Sequence, residues 1–401
     1  MTGRPTTGGG TAGPPAGCPV SDVDLWSEAV LADPFPTYRA LRDLGSVVWL
    51  ERAGMVAFPR FQPVRAVLSD WQRFSSAHGV AVATQANIVL GESILTSDPP
   101  VHDRYRKPLM DQLSLNALAP MVPEVEATAV SFADAVVAAG RFDAVADLAR
   151  PYSLTVVADL IGLPAEDREP YPPLAERAFN IMGPGNERAA DGFGALAELR
   201  QRTLGACTAG RLEAGRRAEQ LCHMGRMDLV PAYTWPGIDT TVNALGAAVA
   251  LFARHPDQWD RVRADRGLIP SAFNEVLRLH APVHYFTRVA TEAVTIDGVE
   301  IPEGSRVLVM YGSANRDERR FPEPDRFDVT RNPTEQLAFG RGVHLCVGIN
   351  LARIEAHSLL AALADRVARF EPDDADPSGP QWLVNNTLHG YEHLPVRVVA
   401  A

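Results

Sequence analysis

Cysteine is scarce in this sequence, and its few cysteines follow no metal-binding or disulfide pattern. The 401 residues include four cysteines, Cys18, Cys207, Cys222 and Cys346, at irregular spacing. Zinc sites and disulfide frameworks show characteristic cysteine spacings, so neither is predicted here. A chain without disulfides fits a reducing compartment, and we therefore expect a cytoplasmic protein.

The sequence also lacks basic runs and long apolar stretches. Asp and Glu total 49 against 38 Lys and Arg, which gives a net charge of −11. Such an acidic chain is a poor partner for nucleic acid. The Gly/Pro/Thr-rich N-terminal segment has no apolar core of the kind that a signal peptide carries. No run of apolar residues is long enough to span a bilayer. We expect a soluble protein with a disordered tail over residues 1–21 that binds neither nucleic acid nor membrane.

Helical periodicity dominates the remaining sequence. Residues 122–140 are apolar at positions i, i+3, i+4 and i+7 and end at Gly140, which predicts a helix. Residues 242–256 are apolar nearly all round, which predicts a buried helix. Residues 293–312 alternate and carry turn signals at Asp297-Gly298 and Glu303-Gly304, which predict hairpins. We expect a mainly α fold, with one domain over residues 22–401 and small β-sheets at its edge.

One cysteine stands in a context that suggests chemistry. The stretch FGRGVHLCVG, residues 339–348, contains three glycines and leads into a long helical pattern. Cys346 would then lie near a helix N-terminus, where a thiolate is favoured. A soft anionic sulfur suits a metal such as haem iron. The alternative is a buried structural cysteine in a turn.

The spacing F-x-x-G-x-H-x-C-x-G resembles the haem-binding loop of the cytochrome P450 family. The resemblance implies the cytochrome P450 fold, haem b with an axial thiolate from Cys346, and dioxygen as co-substrate. Phe339 and His344 would lie beside the cofactor. His102 and Arg106 in HDRYR, and Arg288 in FTRVA, match the family's ligands for the haem propionates.

The family's structural charge cluster is matched as well. Its E-x-x-R motif corresponds to Glu275 and Arg278, which lie three residues apart and can pair on one helix face. The later FPEPDRF supplies Arg326 as the third partner. The cluster would hold the region that presents Cys346.

The stretch TWPGIDTT, residues 234–241, matches the family's oxygen-activation segment. Asp239 and Thr240 correspond to its acid–alcohol pair, with Asp239 relaying protons and Thr240 orienting water, while Gly237 leaves room for oxygen. The alternative for Thr240 is a hydrogen bond to a helix carbonyl. Pro236 would either kink the long helix or begin it at its first turn.

A narrower resemblance links the chain to bacterial cytochromes P450 that oxidise para-substituted benzoates by hydroxylation or O-demethylation. By position, Phe179, Met182, Val283 and Phe286 would line an aromatic slot; the alternative is ordinary core. The carboxylate-binding positions differ, however, because this sequence has Pro231, Ala232, Trp235, Val89 and Glu92 there. A buried carboxylate without a cation is unfavourable. A neutral aromatic, or a substrate with a basic group facing Glu92, fits better.

Three functional hypotheses follow. The first is a monomeric monooxygenase that oxidises a small aromatic substrate with electrons from a ferredoxin-type donor and its reductase. The second is a haem-thiolate protein that binds ligand but turns over poorly, because its distal helix is altered. The third, a peroxide-using member, is disfavoured by Asp239 and Thr240.

The unusual segment 210–236 reflects either divergence or a reading-frame error in the sequence.

Overall fold

Long α-helices make up most of the structure, a computed structural model that describes residues 13–401. The mainly α fold is therefore confirmed. The α-helices of this part of the chain are α1 (Glu28–Ala32), α2 (Phe35–Leu44), α3 (Phe61–Ser69), α4 (Thr84–Leu90), α5 (Val101–Leu113), α6 (Leu115–Leu118), α7 (Val122–Ala139), α8 (Arg150–Ile161), α9 (Tyr171–Ala178), α10 (Glu187–Thr208), α11 (Arg217–His223), α12 (Pro231–Thr234), α13 (Pro236–Arg254), α14 (Pro256–Ala264), α15 (Ile269–Leu279), α16 (Tyr311–Ala314) and α17 (Ile349–Arg366).

Short strands form small sheets beside the helices. They are β1 (Val20–Ser21), β2 (Val48–Leu50), β3 (Met55–Phe58), β4 (Phe74–Ser75), β5 (Arg141–Asp143), β6 (Phe286–Ala290), β7 (Val294–Ile296), β8 (Val299–Ile301), β9 (Arg306–Val309), β10 (Val367–Pro372), β11 (Gln381–Trp382), β12 (Tyr391–His393) and β13 (Pro395–Ala400). The largest sheet has the order β1-β2-β3-β9-β6-β4, and β10-β13-β5 form another. The hairpin predicted at Asp297-Gly298 is confirmed: β7 and β8 pair antiparallel across these two residues, which both have positive φ. The hairpin predicted at Glu303-Gly304 is wrong, because β9 pairs with β3 and β6 instead of β8.

The central helix of the core is α13. Every residue from Thr241 to Phe252 is buried, as the all-round apolar pattern predicts. It packs against α8, α9, α15 and α17. Helix α7, predicted over residues 122–140, ends at Gly140 with a φ of 70° and packs against α17. In the part of the chain that the structure describes, no helix is both long and apolar enough to cross a membrane.

The predicted N-terminal tail is partly ordered. Val20 and Ser21 form β1, which pairs in parallel with β2, and Cys18 is buried. Ordered structure therefore begins earlier than the predicted boundary at residue 22, because the backbone of this segment completes a sheet edge. Residues 1–12 of the predicted tail lie outside the described residues.

The expectation that the cysteines form no disulfide is wrong for one pair. Cys207 near the end of α10 and Cys222 in α11 form a disulfide, with their Cα atoms 6.1 Å apart. The two helices contact one another. Their separation of 15 residues carries no recognisable motif, so only the packing of α10 against α11 reveals the pair.

The long distal helix begins at Pro236. This residue is exposed and occupies the first position of α13, where its missing N–H leaves no hydrogen bond unmade. Trp235 retains helical dihedral angles, φ −90° and ψ −68°, and its N–H donates to the Pro231 carbonyl at 3.1 Å. Of the two alternatives for Pro236, the structure has the first-turn proline, preceded by the single turn α12.

Candidate functional site

Cys346 lies in a tight loop just ahead of α17. Its backbone N–H donates to the Phe339 carbonyl at 2.8 Å, which closes the loop. Gly342 adopts a φ of 70°, and a Cβ atom there would clash with the Leu68 carbonyl. Only glycine satisfies both conditions. The glycine spacing in the sequence therefore has a direct steric cause, and it fixes where the Cys346 thiol lies.

The surroundings of the Cys346 thiol combine burial with hydrogen-bond donors. Burial raises the pKa of this thiol, while the backbone N–H groups of Gly348 and Ile349 and the Arg106 guanidinium act in the opposite direction. Such donors stabilise sulfur once it carries negative charge. The Arg353 guanidinium lies over the Phe339 ring, 5.8 Å from its centroid. These donors would thus stabilise the Cys346 thiolate as a ligand for a metal cation.

Two histidines and two arginines gather near this thiol. His102 and Arg106 lie one turn apart on α5, and the ring centroids of His102 and His344 are 4.6 Å apart. Burial lowers the pKa of His344 to about 4; Asp98 opposes this shift, and Arg288 and His102 add to it. Burial likewise lowers the pKa of His102. Both imidazoles are therefore neutral near pH 7, and the positive charge of the cluster resides on the arginines.

This cluster suits a cofactor that carries carboxylates. Among residues 13–401, neither Arg106 nor Arg288 has a carboxylate oxygen within 4.0 Å, and His102 Nε2 is buried without a hydrogen-bond partner. Burial lowers the pKa of the Arg106 guanidinium. Arg288 is buried and Arg106 is half-buried, and cations held away from water without counter-charges are unfavourable, so these donors favour an anionic group. The residues present therefore fit haem, with its propionates at this cluster and its iron at Cys346.

Asp239 and Thr240 lie in the first turns of α13. Asp239 is buried, and its Oδ2 atom has no hydrogen-bond partner among the described residues. Burial raises the pKa of this carboxyl well above its ordinary value; Glu176 adds to the shift and Arg150 opposes it. The Thr240 hydroxyl donates to the Pro236 carbonyl at 2.8 Å. This is the structural contact that the alternative interpretation expects, but the hydroxyl oxygen can still accept hydrogen bonds.

Two charged side chains that act on the pKa of Asp239 were not predicted from the sequence. Arg150 begins α8 and donates to a carboxylate oxygen of Glu176 on α9 at 3.4 Å. Their side chains are 33% and 26% exposed, so the pair reaches the protein surface, and both charges act on the pKa of buried Asp239. The two residues are 26 positions apart, and only the packing of α8 and α9 against α13 brings them together. Beside them, a Cβ at Gly237 would lie 4.0 Å from the Val157 side chain, so the packing leaves room there.

The four residues predicted to line the aromatic slot differ in how far they are buried. Phe179 and Met182 are buried in a 3-10 turn, Phe179–Met182, whereas Val283 and Phe286 are half-buried. All four pack against the main core. Trp235 lies against Phe179, with ring centroids 5.3 Å apart. Trp235 therefore points inward and packs against a slot residue.

The charge cluster around Glu275 differs from the prediction in one member. Arg278 donates to both carboxylate oxygens of fully buried Glu275, at 2.7 and 2.9 Å. The third partner is Arg331, which donates to Glu275 at 3.0 Å. The assignment of Arg326 is wrong, because its side chain is 57% exposed and pairs with Glu323. Arg326 contributes only its carbonyl, which accepts from Arg278 at 3.3 Å.

Comparisons with known proteins agree with these features. Residues 227–381 match the family described as Cytochrome P450. Cytochrome p450 CYP199A2 of Rhodopseudomonas palustris is 38% identical over 96% of both chains. Cytochrome P450 monooxygenase PikC of Streptomyces venezuelae is 34% identical over 98% of this chain and 97% of its own. The solved structure of cytochrome P450 CYP109Q5 from Chondromyces apiculatus is 26% identical, with a TM-score of 0.81 over 95% of this chain and 99% of that chain.

Proposed function

The chain belongs to the cytochrome P450 family, and we propose that it oxidises a small aromatic substrate by hydroxylation or oxidative O-demethylation. It is an oxidoreductase of the monooxygenase type, with haem-thiolate iron as cofactor and dioxygen as co-substrate. The observation that carries the proposed monooxygenase activity is the gathering of Arg106, His102, His344 and Arg288 near the half-buried Cys346 thiol. We propose that residues 22–401, together with the preceding strand β1, form one catalytic domain.

Haem held by a thiolate supplies the activation of dioxygen, since the sulfur donates electron density to the iron. Cys346 would provide that thiolate, supported by the N–H groups of Gly348 and Ile349. His102, Arg106 and Arg288 would bind the propionates, Arg with two parallel hydrogen bonds where its fork allows. His344 and Phe339 would lie against the cofactor, and Phe339 is held in place by its carbonyl contact with Cys346.

Asp239 and Thr240 would deliver the protons that the reaction consumes. Burial raises the pKa of the Asp239 carboxyl well above its ordinary value, which favours the protonated form that can donate a proton. The Arg150–Glu176 pair at the surface would restore that proton from solvent. Thr240, whose hydroxyl donates to the Pro236 carbonyl, would accept a hydrogen bond from water and fix its position. The space beside Gly237 would admit dioxygen.

The substrate slot would be aromatic and uncharged. Phe179, Met182, Val283 and Phe286 supply apolar surface, and Trp235 adds a second aromatic ring beside Phe179. Glu92 is exposed and accepts a hydrogen bond from the Tyr105 hydroxyl at 2.9 Å. That contact already engages the Glu92 carboxylate, which favours a neutral aromatic over a substrate with a basic group.

Members of the family use redox partners and small substrates. For this chain we propose a ferredoxin-type donor that docks near Cys346, with the enzyme acting as a monomer. Leu345 is exposed there, and Arg341 and Arg353 flank the same loop. Positive charge around an exposed apolar residue suits an acidic partner with an apolar contact.

A second candidate is a haem-thiolate protein that binds ligand with little turnover. The break at Pro236 and the engaged Thr240 hydroxyl favour it. The product formed per NADH consumed distinguishes the monooxygenase from the ligand-binding protein. It is measured with a ferredoxin system across a panel of para-substituted aromatics. Coupled product from a substrate that also shifts the haem spin state supports the monooxygenase. Rapid NADH oxidation without product across the panel contradicts it and supports the second candidate.

A further inference from the structure

Asn386 bonds the loop between β11 and β12 to the 3-10 turn that carries Phe179 and Met182. Its side chain is fully buried. The Asn386 backbone N–H donates to Asn180 Oδ1 at 2.8 Å, and its Nδ2 group donates to the Asn180 carbonyl at 2.9 Å. Asn180 stands between Phe179 and Met182 in the chain. Two hydrogen bonds therefore fix the middle of this turn to the loop.

The same loop also bonds the segment that carries Val283 and Phe286. The Tyr285 hydroxyl, between these two residues in the chain, donates to the Asn386 carbonyl. Val283 forms a β-bridge with Leu388, two residues beyond Asn386. Asn386 thus contacts both segments that carry the residues predicted to line the aromatic slot.

The Asn386 amide uses its full hydrogen-bonding capacity inside the protein. Besides its bond to Asn180, its Nδ2 group donates to Asn186 Oδ1 at 2.9 Å. Its Oδ1 atom accepts from Asn186 Nδ2 and from Arg188 Nε, each at 3.0 Å. A side-chain amide has two N–H donors and one oxygen with two lone pairs, so no group is left to bind a ligand. The role of this side chain is therefore to hold other residues.

The partners of Asn386 are held in turn. Arg188 donates to the Trp26 carbonyl at 2.6 Å, and the Trp26 indole N–H donates to the Tyr285 hydroxyl at 2.6 Å. The bonds thus run in a closed ring from Asn386 through Arg188, Trp26 and Tyr285 back to Asn386. A Cβ atom at Gly183 would lie 2.5 Å from the Asn386 Cβ, so the turn and the loop are also in close contact. A buried network with all its bonds made is rigid.

We propose that Asn386 is a positioning residue, which fixes the separation of the two walls of the aromatic slot and thereby makes the enzyme discriminate among para substituents by size. The inference rests on the proposed oxidation of an aromatic substrate and deepens it. Asn386 acts through the residues around Asn180 and Tyr285 and does not touch the substrate. Rigid apolar walls distinguish ligands that differ by one methylene group, whereas walls that relax around each ligand do not.

The test measures how binding depends on the length of a para substituent. Spin-state titration of the full-length holoenzyme gives the dissociation constants of 4-methylanisole, 4-ethylanisole and 4-propylanisole. We expect them to span about tenfold or more in the wild type, because one methylene changes binding about 10- to 200-fold in a close-fitting apolar pocket. In Asn386→Ala the span should fall below about threefold, because the freed walls adapt to each ligand.

Two further variants separate positioning from a general loss of stability. Gln258→Ala removes another buried side chain, which accepts from the Val329 N–H at 3.1 Å, and it should keep the wild-type span. Asn180→Ala removes the partner of Asn386 and should narrow the span as Asn386→Ala does. The double variant should narrow it no further, because the two residues act through one contact. Asn180→Ala also serves as the test if Asn386→Ala does not bind haem.

The outcomes distinguish this inference from the proposed function. If the wild-type span persists in Asn386→Ala, or is absent from the wild type although the ligands are oxidised, the inference is wrong and the aromatic monooxygenase stands. An equal narrowing in Gln258→Ala also overturns the inference. If none of the three ligands shifts the spin state, while a non-aromatic ligand does, the proposed function fails and the inference with it.

Discussion

The Arg331 guanidinium donates to buried Glu275 at 3.0 Å. The same side chain also donates to the Pro322 carbonyl at 2.7 Å and the Glu323 carbonyl at 3.2 Å. Arg331 therefore ties the loop after α16 to helix α15. A charged residue in such a network is costly to remove, because the remaining groups lose their partners inside the protein.

Arg331→Ala should destabilise the protein by about 1.5–3 kcal/mol, the range expected for hydrogen bonds to a charged partner. Arg326→Ala is the matched control: its side chain is mainly exposed and should change stability by about 0.5 kcal/mol or less. Denaturant unfolding of the two holoproteins measures both values. Equal effects from the two substitutions would show that Arg331 is not the third partner.

Thr240→Ala should uncouple NADH consumption from product formation. Without the hydroxyl, water near Asp239 loses a fixed acceptor, and we expect product per NADH to fall by about tenfold or more while peroxide rises. Thr240→Ser keeps the hydroxyl and should restore coupling. Product and peroxide are quantified against NADH consumed.

Thr155→Ala is the control for the loss of a helix contact, because Thr155 donates to the Pro151 carbonyl at 2.8 Å in the same manner as Thr240 to Pro236. It should leave coupling unchanged. If Thr240→Ala couples as well as the wild type, Thr240 has only the structural role.

His389→Phe should make the free energy of unfolding depend less steeply on pH in the acidic range. Burial lowers the pKa of His389 to about 3, with Arg316 adding to the shift, from about 6.5 in an unfolded chain. Between these values only the unfolded state binds the proton, so the free energy of unfolding falls as pH decreases through this window. Each such histidine contributes a slope that approaches about 1.4 kcal/mol per pH unit.

Phenylalanine fits the surroundings of His389, which stacks on Trp382 and lies 5.2 Å from Phe35. His280 and His284, also buried with lowered pKa values, remain in the variant and keep part of the slope. Urea unfolding between about pH 6 and pH 4 compares the two slopes. Parallel profiles for the variant and the wild type would mean that His389 is already protonated in the folded protein.

The sequence predicted the parts of the site that depend on local spacing. Gly342 must be glycine because of its φ and the nearby Leu68 carbonyl, so the loop around Cys346 has a pattern that can be read directly. The pairing of Glu275 with Arg278 likewise follows from their positions on one helix. The long buried helix α13 follows from its apolar composition.

Features that depend on contacts between distant segments could not be predicted. Arg326 and Arg331 are both arginines in one loop, and only the path of that loop decides which one reaches Glu275. Cys207 and Cys222 meet because α10 and α11 pack together. The Arg150–Glu176 pair likewise joins different helices. Such pairings reflect tertiary packing, which leaves no periodic pattern in the sequence.

Cys346 as the axial thiolate is the central assignment, and the spectrum of the reduced CO complex tests it most directly. Cys346→Ala should lose the thiolate-type spectrum. Cys18→Ala, which removes the other free cysteine, buried against the Val47 carbonyl, should keep it. A thiolate-type spectrum that persists in Cys346→Ala would contradict the assignment of the haem ligand and the mechanism built on it.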